Sequence, residues 1–287
     1  MTTTSPSFTE EDVEQFFDQT TQTYLSFWDS DGVLHTGYFA GEDDEDYQAA
    51  AQRTSDVLAS DAGIDATAYL LDVGCGCGNF LIDLAQRYDC RSEGLDLSIE
   101  RINFARRQLA ANDRVAGVDV AFTQGSATML PHAAETFSHV VSQDALFLVP
   151  DKARSHSEIH RVLQPGGLFA FSDFLQPTQD ISARARKHVY DRVRWNSGYS
   201  FVGYQSALEQ AGFEIVLARN LGSHLRQTYR VLGAIAAQRA AVAADPAARD
   251  WILSFAESCK EIQVAIDDGE FGWGMFVARK PADAPRG

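Results

Sequence analysis

The densest chemistry in this sequence lies in one short run, YLLDVGCGCGNF at positions 69–80. Its apolar half reads as a strand ending in Asp72. Gly74, Gly76 and Gly78 then form a loop that opens a helix, so a ligand can approach the backbone closely at the strand's carboxyl edge. Eighteen residues past Gly78 a second strand ends in Asp96, placed to accept both hydroxyls of a ribose. The two points together mark a nucleoside pocket. A dinucleotide fingerprint would need Gly or Ala at position 79, where this chain has Asn79, and the glycines run G-x-G-x-G instead. Asp72 beside the loop would also repel a pyrophosphate, yet it can help hold a cationic amino-acid moiety. S-adenosylmethionine, a nucleoside carrying such a moiety, fits both demands.

Alternating elements must position these residues. After an amphipathic helix over 9–28, with Val13, Phe16, Phe17, Tyr24 and Phe27 on its apolar side, and a second helix from Tyr47 to about Ala59, the pattern turns to strand and helix. Strands are expected at 69–73, 94–97, 118–122 and 139–142, with helices at 79–88, 99–110 behind Ser98 as N-cap, and 152–163. A tight QPGG turn leads into the strand LFAFSDF; a helix over 204–211, a strand over 213–218 and a final strand FGWGMFVARK follow. Strand, helix, strand, helix means a parallel sheet. Two stretches without sheet periodicity, 176–203 and an Ala-rich helical stretch over 223–268, are insertions of the size that builds a lid or a substrate pocket.

Composition narrows the partners. A chain of 287 residues suits one main domain with an elaboration, and 45% apolar or aromatic residues against 22% charged place it in the globular range. The 24 Lys and Arg against 40 Asp and Glu leave a net charge of −16, which repels phosphate backbones and anionic membrane surfaces. Neither nucleic acid nor a membrane is therefore expected as a partner. The first twenty residues lack a basic start and an apolar stretch, so a cytoplasmic location is expected. Cys75, Cys77, Cys90 and Cys259 have no companion His or Cys cluster to complete a zinc site, and no metal is expected.

The motifs LLDVGCGCG, EGLDLS, FTQGSATMLP, VVSQDALFLVPD and IHRVLQPGGLFAFSD, in that order, resemble the class I S-adenosylmethionine-dependent methyltransferases over about residues 65–220. The resemblance implies a Rossmann-like α/β fold: a mostly parallel seven-stranded sheet with helices on both faces, an N-terminal helical lid and helical inserts. It implies S-adenosyl-L-methionine as cofactor, with Asp96 on the ribose, Leu97 among the cofactor-binding residues, the segment Gly125, Ser126 and Ala127 cupping the adenine, and Gln143 and Asp144 facing the methionine end and the substrate. The family usually meets the adenine amino group with an Asp where this chain has Ser126.

A narrower resemblance reaches both ends. Tyr24, Trp28, LHTGYF at 34–39, SQD at 142–144, HLRQTYRV at 224–231 and WGMFVARK look like sarcosine/dimethylglycine N-methyltransferases and related small-molecule methyltransferases. By that likeness Tyr24, Trp28, His35 and Tyr38 close the pocket, and Arg226 and Tyr229 meet the substrate. The implied division is a lid over 1–64, a cofactor-binding core over 65–222, a substrate-side helical insert over 223–270, the last strand of the core over 271–280 and a tail without order over 281–287. After SQD this chain has Phe147 and Leu148, where that subfamily tends to place a histidine.

Methyl transfer from a sulfonium asks the protein mainly to hold donor and acceptor in line. An amine acceptor must arrive unprotonated, and His35 or Asp144 is the candidate base. Tyr24, Trp28, Tyr38 and Trp273 are candidates to offer aromatic faces to a cation. Arg226 with Arg230, or Arg192 with Arg194, is a candidate carboxylate clamp; a larger scaffold would instead need an apolar wall, for which Phe147 and its neighbours are candidates. The leading expectation is an enzyme that methylates a small amine. The alternatives are a C- or O-methyltransferase acting on a natural-product scaffold and, more remotely, a non-catalytic regulator that binds S-adenosylmethionine.

Overall fold

The computed structural model describes residues 8–27, 35–41, 46–112 and 117–282. Two helices come first, α1 (Glu10–Phe27) and α2 (Tyr47–Asp61), followed by β1 (Tyr69–Val73), α3 (Asn79–Tyr88), β2 (Arg91–Asp96), α4 (Ile99–Ala110) and β3 (Val120–Gln124). β4 (Phe137–Gln143), α5 (Lys152–Val162) and β5 (Leu163–Leu175) continue the alternation, and a single-turn α6 (Ala183–Ala185) runs on into π and 3-10 turns up to Val193. α7 (Phe201–Gln210), β6 (Glu214–Asn220), α8 (Gly222–Val242), α9 (Pro246–Asp267) and β7 (Gly272–Arg279) complete the chain. Side-chain caps mark several helix starts: Ser98 accepts from the Arg101 N–H, Asp151 from Arg154, and Asp245 from Ala247 and Ala248 just ahead of Pro246.

The seven strands form one sheet in the order β3-β2-β1-β4-β5-β7-β6, with only β7 reversed. Pleating sends successive side chains to opposite faces. On one face Leu70, Val141 and Ala170 join Leu58 of α2, Leu81 and Leu84 of α3 and Ile102 of α4; on the other Leu71, Val140, Phe169 and Phe171 meet Ile159 of α5 and Tyr204 and Leu208 of α7. The expected Rossmann-like sheet with helices on both faces is what the chain forms. β1 lies between β2 and β4, so the chain leaves it in opposite directions and a crevice opens at the carboxyl ends of these strands.

Several details differ from the sequence pattern. β3 lies two residues later than expected, which puts Gln124 at its end and Gly125 directly after it. The QPGG segment is a bulge rather than a turn before a strand: β5 pairs Leu163 with Phe137 and then Leu168 with His139, and Gly166, at φ 82°, lets the intervening residues loop out. The Ala-rich insert is two antiparallel helices, α8 and α9, broken where Asp245 caps the second. Among the described residues no helix is long and apolar enough to cross a membrane, and no group of His, Cys, Asp and Glu could hold a metal ion. All four cysteines are free and buried.

Candidate functional site

A cavity of about 210 Å³ occupies the crevice at the ends of β1, β2 and β4. The glycine loop forms its floor. The Gly74 and Cys75 N–H groups both donate to the carbonyl of Leu95, at 2.7 and 3.0 Å, pinning the loop to β2. Gly74 sits at φ 79°, and an added Cβ would overlap that of Ala145 at 2.4 Å, so the loops after β1 and β4 pass each other at a distance only glycine allows. At Gly76 (φ 53°) an added Cβ would meet nothing closer than an Arg101 nitrogen at 3.8 Å; the backbone there faces open space. Gly78 lies behind the loop as the N-cap of α3 and does not line the cavity.

Two buried carboxylates define the pocket's polarity. Asp96 accepts the Gly76 N–H on Oδ2 and the Ser98 N–H on Oδ1, both at 2.9 Å, which fixes its rotamer while leaving acceptor capacity for hydroxyls. Asp72 is 2% exposed, and its Oδ1 has no hydrogen-bond partner. Burial, reinforced by the negative charge of Asp96, pushes its carboxyl up to about 8. An orphaned buried carboxylate facing a cavity calls for a cationic or donor group in the ligand. Such donors are what the amino-acid end of S-adenosylmethionine carries, and the vicinal hydroxyls of its ribose match Asp96, so the residues present fit that cofactor.

The loop after β4 walls the opposite half with Leu146, Phe147, Leu148, Val149 and Pro150, joined by Phe174. A buried carboxyl and a buried amine hold this wall from behind: the Phe147 N–H donates to Asp173 Oδ1 at 3.1 Å, and Lys152 Nζ donates to the carbonyl of Val149 at 2.9 Å. Burial pushes the Asp173 carboxyl up and the Lys152 amine down.

Of the residues singled out from the sequence, Tyr24, His35, Asp72, Gly74, Gly76, Asp96, Leu97, Ala127, Gln143, Asp144, Phe147 and Tyr229 line this one cavity. Trp28 lies outside the described residues. Gly78, Trp273, Arg194 and Arg230 are not on the wall, and neither are three others. Ser126 is turned to α1, where its hydroxyl donates to Glu10 at 2.8 Å. Tyr38 is not on the wall and stacks on His224, ring centroids 4.2 Å apart. Arg226 occupies the exposed face of α8 and pairs with Asp267 of α9 through two hydrogen bonds of 2.7 and 3.0 Å. Tyr229 belongs instead to the buried stripe of α8, with Leu225 and Thr228, and reaches the cavity.

The cavity also recruits residues that the sequence pattern did not single out as lining it, Glu10, Val13 and Phe17 of α1 and Arg101 of α4, and of the candidate clamp arginines it takes Arg192. Arg192 is half-buried beside Tyr24 and Tyr229, its guanidinium 5.6 Å from the Phe255 ring centroid and its Nε bonded to the His188 carbonyl at 3.3 Å; among the described residues no carboxylate pairs with it. α1 itself is fastened across the strand ends, with Asp18 accepting from Ser98 at 2.5 Å and Glu14 from Gln124 at 2.9 Å. Amphipathicity predicts a helix there, but only the partners reveal which carboxylates reach the pocket.

Comparison with known proteins agrees with this fold. A methyltransferase domain model matches residues 71–171. The chain is 26% identical over 262 residues to the sarcosine/dimethylglycine N-methyltransferase of Halorhodospira halochloris, covering 90% of this chain and 91% of that one. It is 28% identical over 219 residues to phosphoethanolamine N-methyltransferase 1 of Triticum aestivum, but spans only 41% of that protein's length against 74% of its own. Its fold superimposes on the crystal structure of the [4+2]-cyclase SpnF with a TM-score of 0.81 at 22% identity, over 97% and 98% of the two chains.

Proposed function

We propose that this chain, a class I S-adenosylmethionine-dependent methyltransferase, methylates a small-molecule acceptor seated between the 144–150 loop, Tyr229 and Arg192, and that the receiving atom is an amine nitrogen. The observation that carries this reading is that Asp144, the carboxylate at the start of that loop, is already engaged. Asp144 accepts the Thr36 N–H on Oδ2 and both the Ser172 hydroxyl and the Trp273 indole N–H on Oδ1, each at 2.7 Å. A phenol or a carbon acid must lose a proton at the site, whereas an amine needs only to arrive neutral. The apolar surfaces of Phe147, Leu148 and Phe174 favour that neutral form by desolvation.

In this reading Asp72, Gly74, Gly76, Asp96, Leu97, Ala127, Gln143 and Tyr24 hold the cofactor, which supplies a methyl group on a sulfonium that departs as a neutral thioether. Gln143 is steadied by Ser55 of α2 at 3.1 Å. The protein's task is to bring the acceptor into line at about 3 to 3.5 Å and keep water out. His35, on the cavity wall, is the group left to take the proton released from the methylated amine. Arg192 gives the wall a positive charge, which suits an acceptor that carries a carboxylate.

A second reading, methylation of carbon or oxygen on a larger scaffold, draws on the apolar run from Leu146 to Pro150 together with Phe174. Incubation with methyl-labelled S-adenosylmethionine and a panel of glycine derivatives, other amines, phenols and prenyl diphosphates separates the two. Label on a carboxylate-bearing amine is expected; label only on a phenol or prenyl compound moves the assignment to the second reading.

A further inference from the structure

Glu10, in the first turn of α1, reaches the cavity at the end where the nucleoside base belongs. We propose that its carboxylate accepts a hydrogen bond from the exocyclic amino group of the adenine, so that the N-terminal helix completes a base subsite otherwise made by the sheet. The proposal rests on the cofactor reading above and assigns a residue to it that neither the sequence motifs nor the matched domain, which begins at residue 71, contains.

The order of the strands sets the direction of the ligand. Asp72 is the last residue but one of β1 and Asp96 ends β2, while β3 lies beyond β2. With the ribose on Asp96 and the amino-acid end toward Asp72, the base extends the other way, toward β3. The wall there is Leu97, Gly125 and Ala127, closed by Val13 and Phe17 of α1, with the Arg101 guanidinium stacked on the Phe17 ring at 4.0 Å: a slot of apolar side chains, backbone and a group that donates but does not accept. An amino group desolvated in such a slot needs an acceptor.

Four carboxylates lie on the cavity wall, Glu10, Asp72, Asp96 and Asp144. Three belong to the ends of β1, β2 and β4. Only Glu10 touches the segment after β3, where its Oε1 accepts the Ser126 hydroxyl at 2.8 Å and the Thr128 hydroxyl at 3.2 Å. Its Oε2 takes no hydrogen bond from any described residue. The Ser126 hydroxyl is committed to Glu10 and Thr128, accepting the Thr128 N–H at 3.0 Å, and Ser126 is not part of the wall. The two hydroxyls therefore orient Glu10 while its second oxygen keeps its acceptor capacity.

The test uses two nucleosides, S-adenosylhomocysteine and S-inosylhomocysteine, which carries a 6-oxo group in place of the amino group. Each is titrated calorimetrically into the wild-type protein, Glu10→Ala and Glu10→Gln. The wild type is expected to prefer the adenine compound by roughly tenfold or more, the worth of one hydrogen bond to a charged acceptor. Glu10→Ala should bring that ratio toward one. Glu10→Gln, whose amide can donate to the 6-oxo group, should favour the inosine compound further. Equal ratios in all three proteins overturn the proposal, even if every affinity falls, because a loosened helix weakens both nucleosides alike. Failure of the wild type to bind either compound overturns the cofactor reading beneath it.

Discussion

The indole N–H of Trp273 donates to Asp144 Oδ1 at 2.7 Å, joining the one reversed strand of the sheet to the loop that walls the cavity. Trp273 is fully buried, and Asp144 sits at φ 50°, a left-handed backbone conformation uncommon outside glycine and asparagine. Thr36, Ser172 and Trp273, from three distant stretches of chain, thus converge on a single carboxylate.

Truncating that carboxylate leaves a buried indole N–H without a partner and keeps the left-handed backbone. Asp144→Ala should cost about 2 to 4 kcal/mol of stability. Asp144→Asn, which tolerates the backbone but presents an amide N–H to that of Thr36, should cost about 1 to 2 kcal/mol. Urea denaturation measures both; an unchanged midpoint for Asp144→Ala would show that the convergence is not structural.

Asp72 makes a prediction about pH. Its carboxyl lies at about 8 in the empty protein, above the ordinary value of 3.8, so the folded state holds a proton that the unfolded state has released. Its contribution to stability therefore falls as pH rises from about 4 through about 8. A cationic ligand group keeps Asp72 ionised, so binding of S-adenosylhomocysteine at pH 7 should release a proton and strengthen as pH approaches 8. Calorimetry in buffers of different ionisation enthalpy reads the proton count, and Asp72→Asn should abolish it.

Two arginines separate the inner wall from the outer surface. Arg192→Leu should raise the Michaelis constant of a carboxylate-bearing acceptor at least tenfold with little change in affinity for S-adenosylhomocysteine. Arg226→Leu, which removes an exposed pair with Asp267, should leave kinetics unchanged and cost at most about 1 kcal/mol of stability. The reverse pattern would restore Arg226 as the acceptor's anchor.

The latches on α1 imply coupling to the ligand. Residues 10–27, held through Glu10, Glu14 and Asp18, should exchange amide hydrogens faster in the empty protein than with S-adenosylhomocysteine bound. Equal protection in both states would make α1 a permanent part of the core rather than a lid.

How much of this is legible in the sequence depends on the range of the interaction. The glycine loop, Asp72 and Asp96 act through local geometry, a strand end and the turn after it, and their spacing declares them. Asp144 is visible as a polar residue after a strand, but its partners lie 28, 108 and 129 residues away, so spacing suggests a base where the fold makes a clasp. Arg226 and Arg192 look alike as basic residues in helical inserts. Which one faces inward is set by how each element is turned against the rest of the fold: Arg226 lies off the buried stripe of α8 and meets Asp267, forty-one residues on. Glu10 carries no motif at all; its role rests on a helix crossing the strand ends.

The helical hairpin between β6 and β7 begins and ends at one place. The Leu221 N–H donates to the carbonyl of Trp273 at 2.9 Å, so the chain leaves the sheet and returns to it through a closed neck. A segment with such a neck behaves as a cassette, because its contents can change in length and character without altering the register of the strands on either side. The cradle under the glycine loop is built entirely from chain that precedes this neck. Transplanting the hairpin of a related protein, cut at Leu221 and Trp273, should therefore leave the sheet in register while exchanging Tyr229 on the cavity wall and Trp251, which packs edge-on against Tyr24.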